Sequence, residues 1–258
     1  SFAGTHTFAY NSDAIYQPND GAFTLAAVAD GVTLSYPRKC AGVSSQGMND
    51  EISVLSFMDL AMKGEYRSKC AGGRMALVMS EILNNMPANS TKKFLYDLTR
   101  SLANSLNFGF KGLHAASTTL SAVLDRGLDV ELISSGDSPI IYYDKTDDQI
   151  KLLQASPDEH TNIVCGTAFV QQASDGKVFF QAPDLNAREI IKKSDLGWVM
   201  ICSDGVSSLK KAATLIDYLK QNNLGADVDT QALAAKALEF AHLAQSSDDI
   251  SVSVLKAA

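Results

Sequence analysis

Two apolar runs in this chain end in the same way. Residues 25–34 read LAAVADGVTL and residues 199–208 read VMICSDGVSS. In each, a stretch apolar enough for the inside of a sheet runs straight into an aspartate followed by a glycine. A third apolar segment, ISVSVLK at 250–256, begins two residues after Asp248. A lone ionised carboxylate at the mouth of a buried strand costs on the order of several kcal/mol unless it is paired or metal-bound. One Asp-Gly alone reads as a turn; three such carboxylates, at Asp30, Asp204 and Asp248, point to a shared cation. Oxygen-only donors select hard ions, Mg²⁺ or Mn²⁺, and His6, His114, His160 and His242 lack the spacing that would suggest zinc. Three carboxylates and one hydroxide carry a charge of about −4, which offsets two divalent cations.

Strand and helix patterns come in blocks. THTFAYNSDAIYQ and AFTLAAVADGV flank Pro18-Asn19-Asp20-Gly21, a hairpin signal that puts Asp13 and Asp30 near the same end of one strand pair. Met75, Val78, Met79, Ile82, Leu83 and Met86 keep three-and-four spacing, as do Leu95, Leu98, Leu102 and Leu106 after a capping Ser90; both read as amphipathic helices. From Ser117 the pattern returns to strands: STTLSAVL, a turn at Asp125-Arg126-Gly127, LDVELISSGDSPIIYYD with a turn at Gly136-Asp137, and QIKLLQ. Strand-like segments at 177–181 and 198–202 precede helix-like ones at 212–222 and 231–245, and the chain closes on an alternating strand. This order predicts an α+β fold in which two antiparallel sheets pack as a central sandwich flanked by helices, α-β-β-α in layers, as one domain over 1–258.

The 22 basic and 29 acidic residues leave a net charge of −7, which argues against nucleic acid and anionic membranes as partners. With 46% hydrophobic and 20% charged residues the chain can bury a large core. There is no apolar run of about 18 residues and no basic stretch ahead of an apolar one, so neither a membrane span nor a signal peptide is expected. Cys40, Cys70, Cys165 and Cys202 form no CxxC pair, and reduced thiols in a cytoplasmic protein are the expectation.

The same residues carry a family resemblance over nearly the whole chain. NSDA at 11–14, VADGV at 28–32, ASTTLSAVL at 116–124, ISSGDSPIIYY at 133–143, SPDEHT at 156–161, WVMICSDGV at 198–206 and SDDISVSVL at 247–255 together resemble, in order, the motifs of the protein phosphatase 2C family of metal-dependent phosphatases. The resemblance implies that Asp30 bridges two Mn²⁺ or Mg²⁺ ions and that the carbonyl of Gly31 binds one of them. Asp204 and Asp248 would complete the ligand set, Asp13 would act through water, and Asp137 with Asp204 matches the position of a third ion in several members. It implies a monomeric phosphoserine/phosphothreonine phosphatase that attacks phosphorus with activated water and acts on phosphoproteins.

This chain also departs from the family. Phe8 stands about where an Arg commonly holds substrate phosphate, Ser12 replaces a Glu often found before the first Asp, and Val32 replaces the His of many eukaryotic members. An extra segment at about 33–71 follows the first metal motif, and its Arg38, ahead of Lys39 and Arg67, is the candidate replacement for the phosphate clamp. A catalytically weak or inactive member acting as a regulatory binding module is the alternative, and a hydrolase of small phosphoesters a more distant one.

Overall fold

The computed structural model describes residues 13–16, 25–30, 115–153, 168–172, 178–181, 187–208, 211–246, 248 and 250–256. The helices expected within 75–106, the segment 33–71, Gly31, Arg38 and Asp249 lie outside them.

In chain order the strands are β1 (Asp13–Tyr16), β2 (Leu25–Asp30), β3 (Ala115–Thr118), β4 (Leu120–Asp125), β5 (Asp129–Ser135), β6 (Ile140–Asp144), β7 (Gln149–Leu152), β8 (Ala168–Gln172), β9 (Val178–Gln181), β10 (Ala187–Lys192), β11 (Leu196–Cys202) and β12 (Val252–Lys256). Two helices, α1 (Ala212–Gln221) and α2 (Thr230–Leu243), fall between the last two strands. A five-stranded sheet runs β1-β2-β4-β5-β10 and a four-stranded one β12-β11-β6-β7; a three-stranded sheet, β3-β8-β9, stands beside them. Their neighbours pair antiparallel throughout.

The two larger sheets pack face to face. Val28, Val123, Val130 and Leu132 of the five-stranded sheet meet Ile140, Tyr142, Val199 and Ile201 of the four-stranded one. The alternate residues of the same strands, Ile141, Tyr143, Trp198, Met200 and Cys202, pack instead with Leu215 and Leu219 of α1 and Leu233 and Ala237 of α2. The four-stranded sheet is thus covered on both faces. That explains why LGWVMIC is apolar at every position and shows no period-two alternation. Burial pushes the Cys202 thiol far up, so it packs here as a small hydrophobe. Asp229 caps α2 by accepting the N–H of Ala232 at 3.0 Å.

Three details differ from the sequence reading. STTLSAVL is not one strand: it breaks at Thr119, with β3 pairing β8 and β4 pairing β2 and β5. Strands β8 and β10 were not anticipated. AREIIK in β10, an edge strand, alternates with Ala187, Glu189 and Ile191 turned inward and Arg188, Ile190 and Lys192 outward, so its one apolar departure is the exposed Ile190. Its Arg188 reaches Glu131 at 2.7 Å, as Arg126 does at 2.7 Å, and the two guanidinium groups compensate a carboxylate that is 2% exposed.

Candidate metal centre

Every candidate carboxylate within the described residues lies at one end of the sandwich, where strands finish or begin. Asp30 ends β2, and the Ala26–Ala29 run that delivers it is almost wholly buried. Asp13 begins β1 and is the direct register partner of Asp30, so the hairpin reading of this pair holds in the backbone. Asp137 occupies the turn from β5 to β6, Asp204 the turn after β11, and Asp248 precedes β12. The five-stranded sheet supplies Asp13 and Asp30; the four-stranded sheet supplies Asp204 and Asp248.

Asp204 records how close these groups are. Burial pushes its carboxyl up from 3.8 to about 6; a hydrogen bond with Asp30 opposes the rise, and the charges of Asp248 and Asp137 add to it. Asp30, Asp137 and Asp204 are each half-buried, whereas Asp248 is exposed. Among the described residues no group of three or more His, Cys, Asp or Glu side chains stands at metal-binding spacing. The donor set nonetheless suits a hard divalent cation. It is all oxygen, and burial together with the charges of Asp248 and Asp137 outweighs the hydrogen bond with Asp30, so that ionisation of Asp204 is disfavoured in the absence of a nearby positive charge.

The scaffold beneath these acids is a set of small hydroxyl side chains that the sequence reading did not single out. Thr119 accepts the N–H of Asp30 on its Oγ1 at 3.0 Å and returns its own N–H to the Asp30 carbonyl at 2.8 Å, an oxygen that also accepts from Thr118 Oγ1 at 2.8 Å. Thr119 and Ser138 hydroxyls lie 2.9 Å apart, and Ser121 donates to the Ser138 carbonyl at 2.6 Å. On the other sheet, the N–H of Ser203 donates to the Ser251 carbonyl at 2.9 Å and the N–H of Ser251 to Ser203 Oγ at 2.9 Å, which ties the Asp204 turn to the start of β12. Cys202 donates its N–H to the Pro139 carbonyl at 3.1 Å. Gly136 has φ +96°, and a Cβ there would come within 2.6 Å of Thr119 Cγ2, so the turn that presents Asp137 requires glycine. The available signal was hydroxyl residues interrupting strongly apolar strands, since a buried hydroxyl needs a partner.

Comparison with known proteins agrees with this architecture. The sequence model of the protein phosphatase 2C family matches residues 6–239, and the chain belongs to that family. The match ends before Asp248. No curated protein sequence matches the chain. Among solved structures, it is similar to PppA, a key regulatory component of T6SS in Pseudomonas aeruginosa, at 16% identity and TM-score 0.55, covering 96% of this chain and 92% of that one. It is also similar to the catalytic domain of the serine threonine protein phosphatase PstP in complex with two manganese ions, at 16% identity and TM-score 0.54, with 95% and 90% covered. The serine/threonine phosphatase Stp1 from Staphylococcus aureus aligns at 14% identity and TM-score 0.52, with 96% and 89% covered. At such identities the likeness is one of fold. No helix among the described residues is long and apolar enough to cross a membrane.

Proposed function

We propose that the chain is a metal-dependent protein serine/threonine phosphatase, a single-domain, monomeric, cytoplasmic enzyme over 1–258. The observation that carries the reading is the contact of the Asp30 and Asp204 carboxyls at the joined ends of two sheets, within the field of Asp137 and Asp248. Asp30, Asp204 and Asp248 would hold two Mn²⁺ or Mg²⁺ ions together with the Gly31 carbonyl, Asp13 would act through water, and Asp137 would serve a third ion. Bound there, the ions would lower the pKa of water and draw charge from the phosphoryl oxygens. The chain's own part is to fix those carboxylates in place. Thr118 and Thr119 hold Asp30 by its backbone, and the Ser203–Ser251 pair holds the Asp204 turn against the strand that follows Asp248.

Arg38 is proposed as the substrate phosphate clamp in place of the Arg that Phe8 displaces. That same substitution is what favours the second reading, a weakly active or inactive member serving as a regulatory binding module, and the likeness to PppA is in keeping with it. A single experiment separates the two. Hydrolysis of p-nitrophenyl phosphate and of a phosphothreonine peptide is followed with Mn²⁺, Mg²⁺ and excess chelator. Turnover with either ion that stops on chelation supports the phosphatase; no turnover with any ion assigns the binding role. Arg38→Ala is expected to raise KM several-fold with Mn²⁺ affinity unchanged, and an unchanged KM removes Arg38 from the mechanism.

A further inference from the structure

A cavity of about 500 Å³ opens directly beside the carboxylate cluster. Asp204, Val206 and Lys211 line it together with Thr214 and Tyr218 of α1 and Phe240 and Leu243 of α2. Thr214 and Tyr218 are four residues apart and Phe240 and Leu243 three, so each pair faces the cavity from one stripe of its helix. The Tyr218 and Phe240 rings, 5.5 Å between centroids and tilted by 51°, make an aromatic wall. The Tyr218 hydroxyl is buried near Glu239 and Lys236, and burial, ahead of Glu239, pushes its pKa up. Leu243 is 67% exposed, one of three large apolar side chains left in water among the described residues.

We infer that this cavity is a substrate subsite that takes an apolar side chain of the phosphoprotein, within a few residues of the phosphorylated serine or threonine. The inference rests on the phosphatase reading, because it places the phosphate at Asp204. Two observations carry it. Asp204 belongs both to the carboxylate cluster and to the cavity lining, so the cavity adjoins the cluster through this residue. An extended peptide advances about 3.3 Å per residue, so a side chain one to three positions from a phosphate held there reaches the cavity. The walls then decide the chemistry. Phe240, Leu243, Val206 and the Tyr218 ring offer apolar surface, and Asp204 and Lys211 contribute one charge of each sign to the lining, so the preference rests on the apolar walls.

The test is a set of phosphothreonine peptides that differ only in carrying Ala or Phe at one of the three positions on either side of the phosphoresidue. With Mn²⁺, kcat/KM for Phe over Ala is expected to be about tenfold at one of these positions, the scale of a few methylenes in an apolar pocket. In Thr214→Trp, which fills the cavity from an exposed helix position, that ratio is expected to collapse towards one, and in Leu243→Ala to fall partway. A ratio taken within each variant cancels any change in overall rate, and circular dichroism melting of both variants checks that they fold. No preference at any position in the native protein, or a preference that survives both substitutions, overturns the subsite. If neither p-nitrophenyl phosphate nor any peptide is hydrolysed, the phosphatase reading has failed instead. Calorimetric binding of the same peptides then decides the cavity, and equal affinity for the Phe and Ala members refutes it.

Discussion

Thr119 grips the backbone of Asp30 from both sides, its Oγ1 accepting the Asp30 N–H at 3.0 Å while its own N–H donates to the Asp30 carbonyl at 2.8 Å. The break between β3 and β4 falls at this residue. Thr119→Val keeps the shape and removes the oxygen, leaving the Asp30 N–H and the Ser138 hydroxyl each short of a partner. The expected cost is about 1–3 kcal/mol in urea unfolding, with weaker Mn²⁺ binding by calorimetry. Thr119→Ser should recover most of both, and a neutral Thr119→Val would show that Asp30 needs no such support.

Gly136→Ala should act on the same contact from the other side. A methyl group there meets Thr119 Cγ2 at 2.6 Å and the residue must also keep φ +96°. Strain of this kind costs on the order of 1–3 kcal/mol. The thermal midpoint should fall, and any phosphatase activity should fall with it even at temperatures where the variant is fully folded. By contrast Gly127, with φ +90° but nothing within 4 Å, should lose stability on substitution by alanine without losing activity.

The ion-free protein should be more stable in mild acid than at neutral pH as far as Asp204 is concerned. Its carboxyl is raised from 3.8 to about 6, so the proton it carries is bound more tightly in the folded chain than in the unfolded one. The stabilisation is complete below pH 3.8 and is lost as pH rises through about 6. Burial is the main cause, the hydrogen bond with Asp30 opposes it and the charges of Asp248 and Asp137 add to it, and the effect is at most about 3 kcal/mol at about 1.4 kcal/mol per unit. Urea titrations in chelator at pH 5 and pH 8 should show Asp204→Asn flattening this dependence. An equal slope in the native protein and the variant would assign it elsewhere.

Asp30→Asn and Asp204→Asn should each cut turnover by about a hundredfold or more without unfolding the chain, as expected on removing a charged ion ligand. Asp249→Asn should change little, because the proposed ligand role falls on Asp248. A result in which Asp249 is essential and Asp248 dispensable would shift the register of the last motif by one residue.

What the sequence revealed and what it hid have separate physical causes. Asp30, Asp204 and Asp248 stood out because an acid at the edge of an apolar run is costly without compensation, and that conflict is visible in one dimension; Asp137 came only with the family resemblance. The strand LGWVMIC, buried on both faces, was legible for its length of apolar residues, and α1 and α2 for their spacing. Thr118, Thr119, Ser138, Ser203 and Ser251 were not, because their roles depend on partners tens of residues away: Thr119 and Asp30 are 89 apart, Ser203 and Ser251 are 48 apart. Strand β10 was missed because its inward positions include the polar Glu189 and its outward ones the apolar Ile190, which blurs the apolar/polar alternation in the sequence although the backbone alternates normally.

The passage from β5 to β6 carries the chain from one sheet to the other, and within it Ser138 bonds to Thr119 and Ser121 while the Pro139 carbonyl accepts from Cys202. This end of the sandwich is therefore stitched across its seam by the chain itself, and the turns at 126–128 and 145–148 lie at the far end of the same strands. Parting the layers at this end would break those bonds first, so the spacing of Asp30, Asp137 and Asp204 is tied to the strength of a few hydroxyl and carbonyl contacts rather than to the apolar core between the sheets.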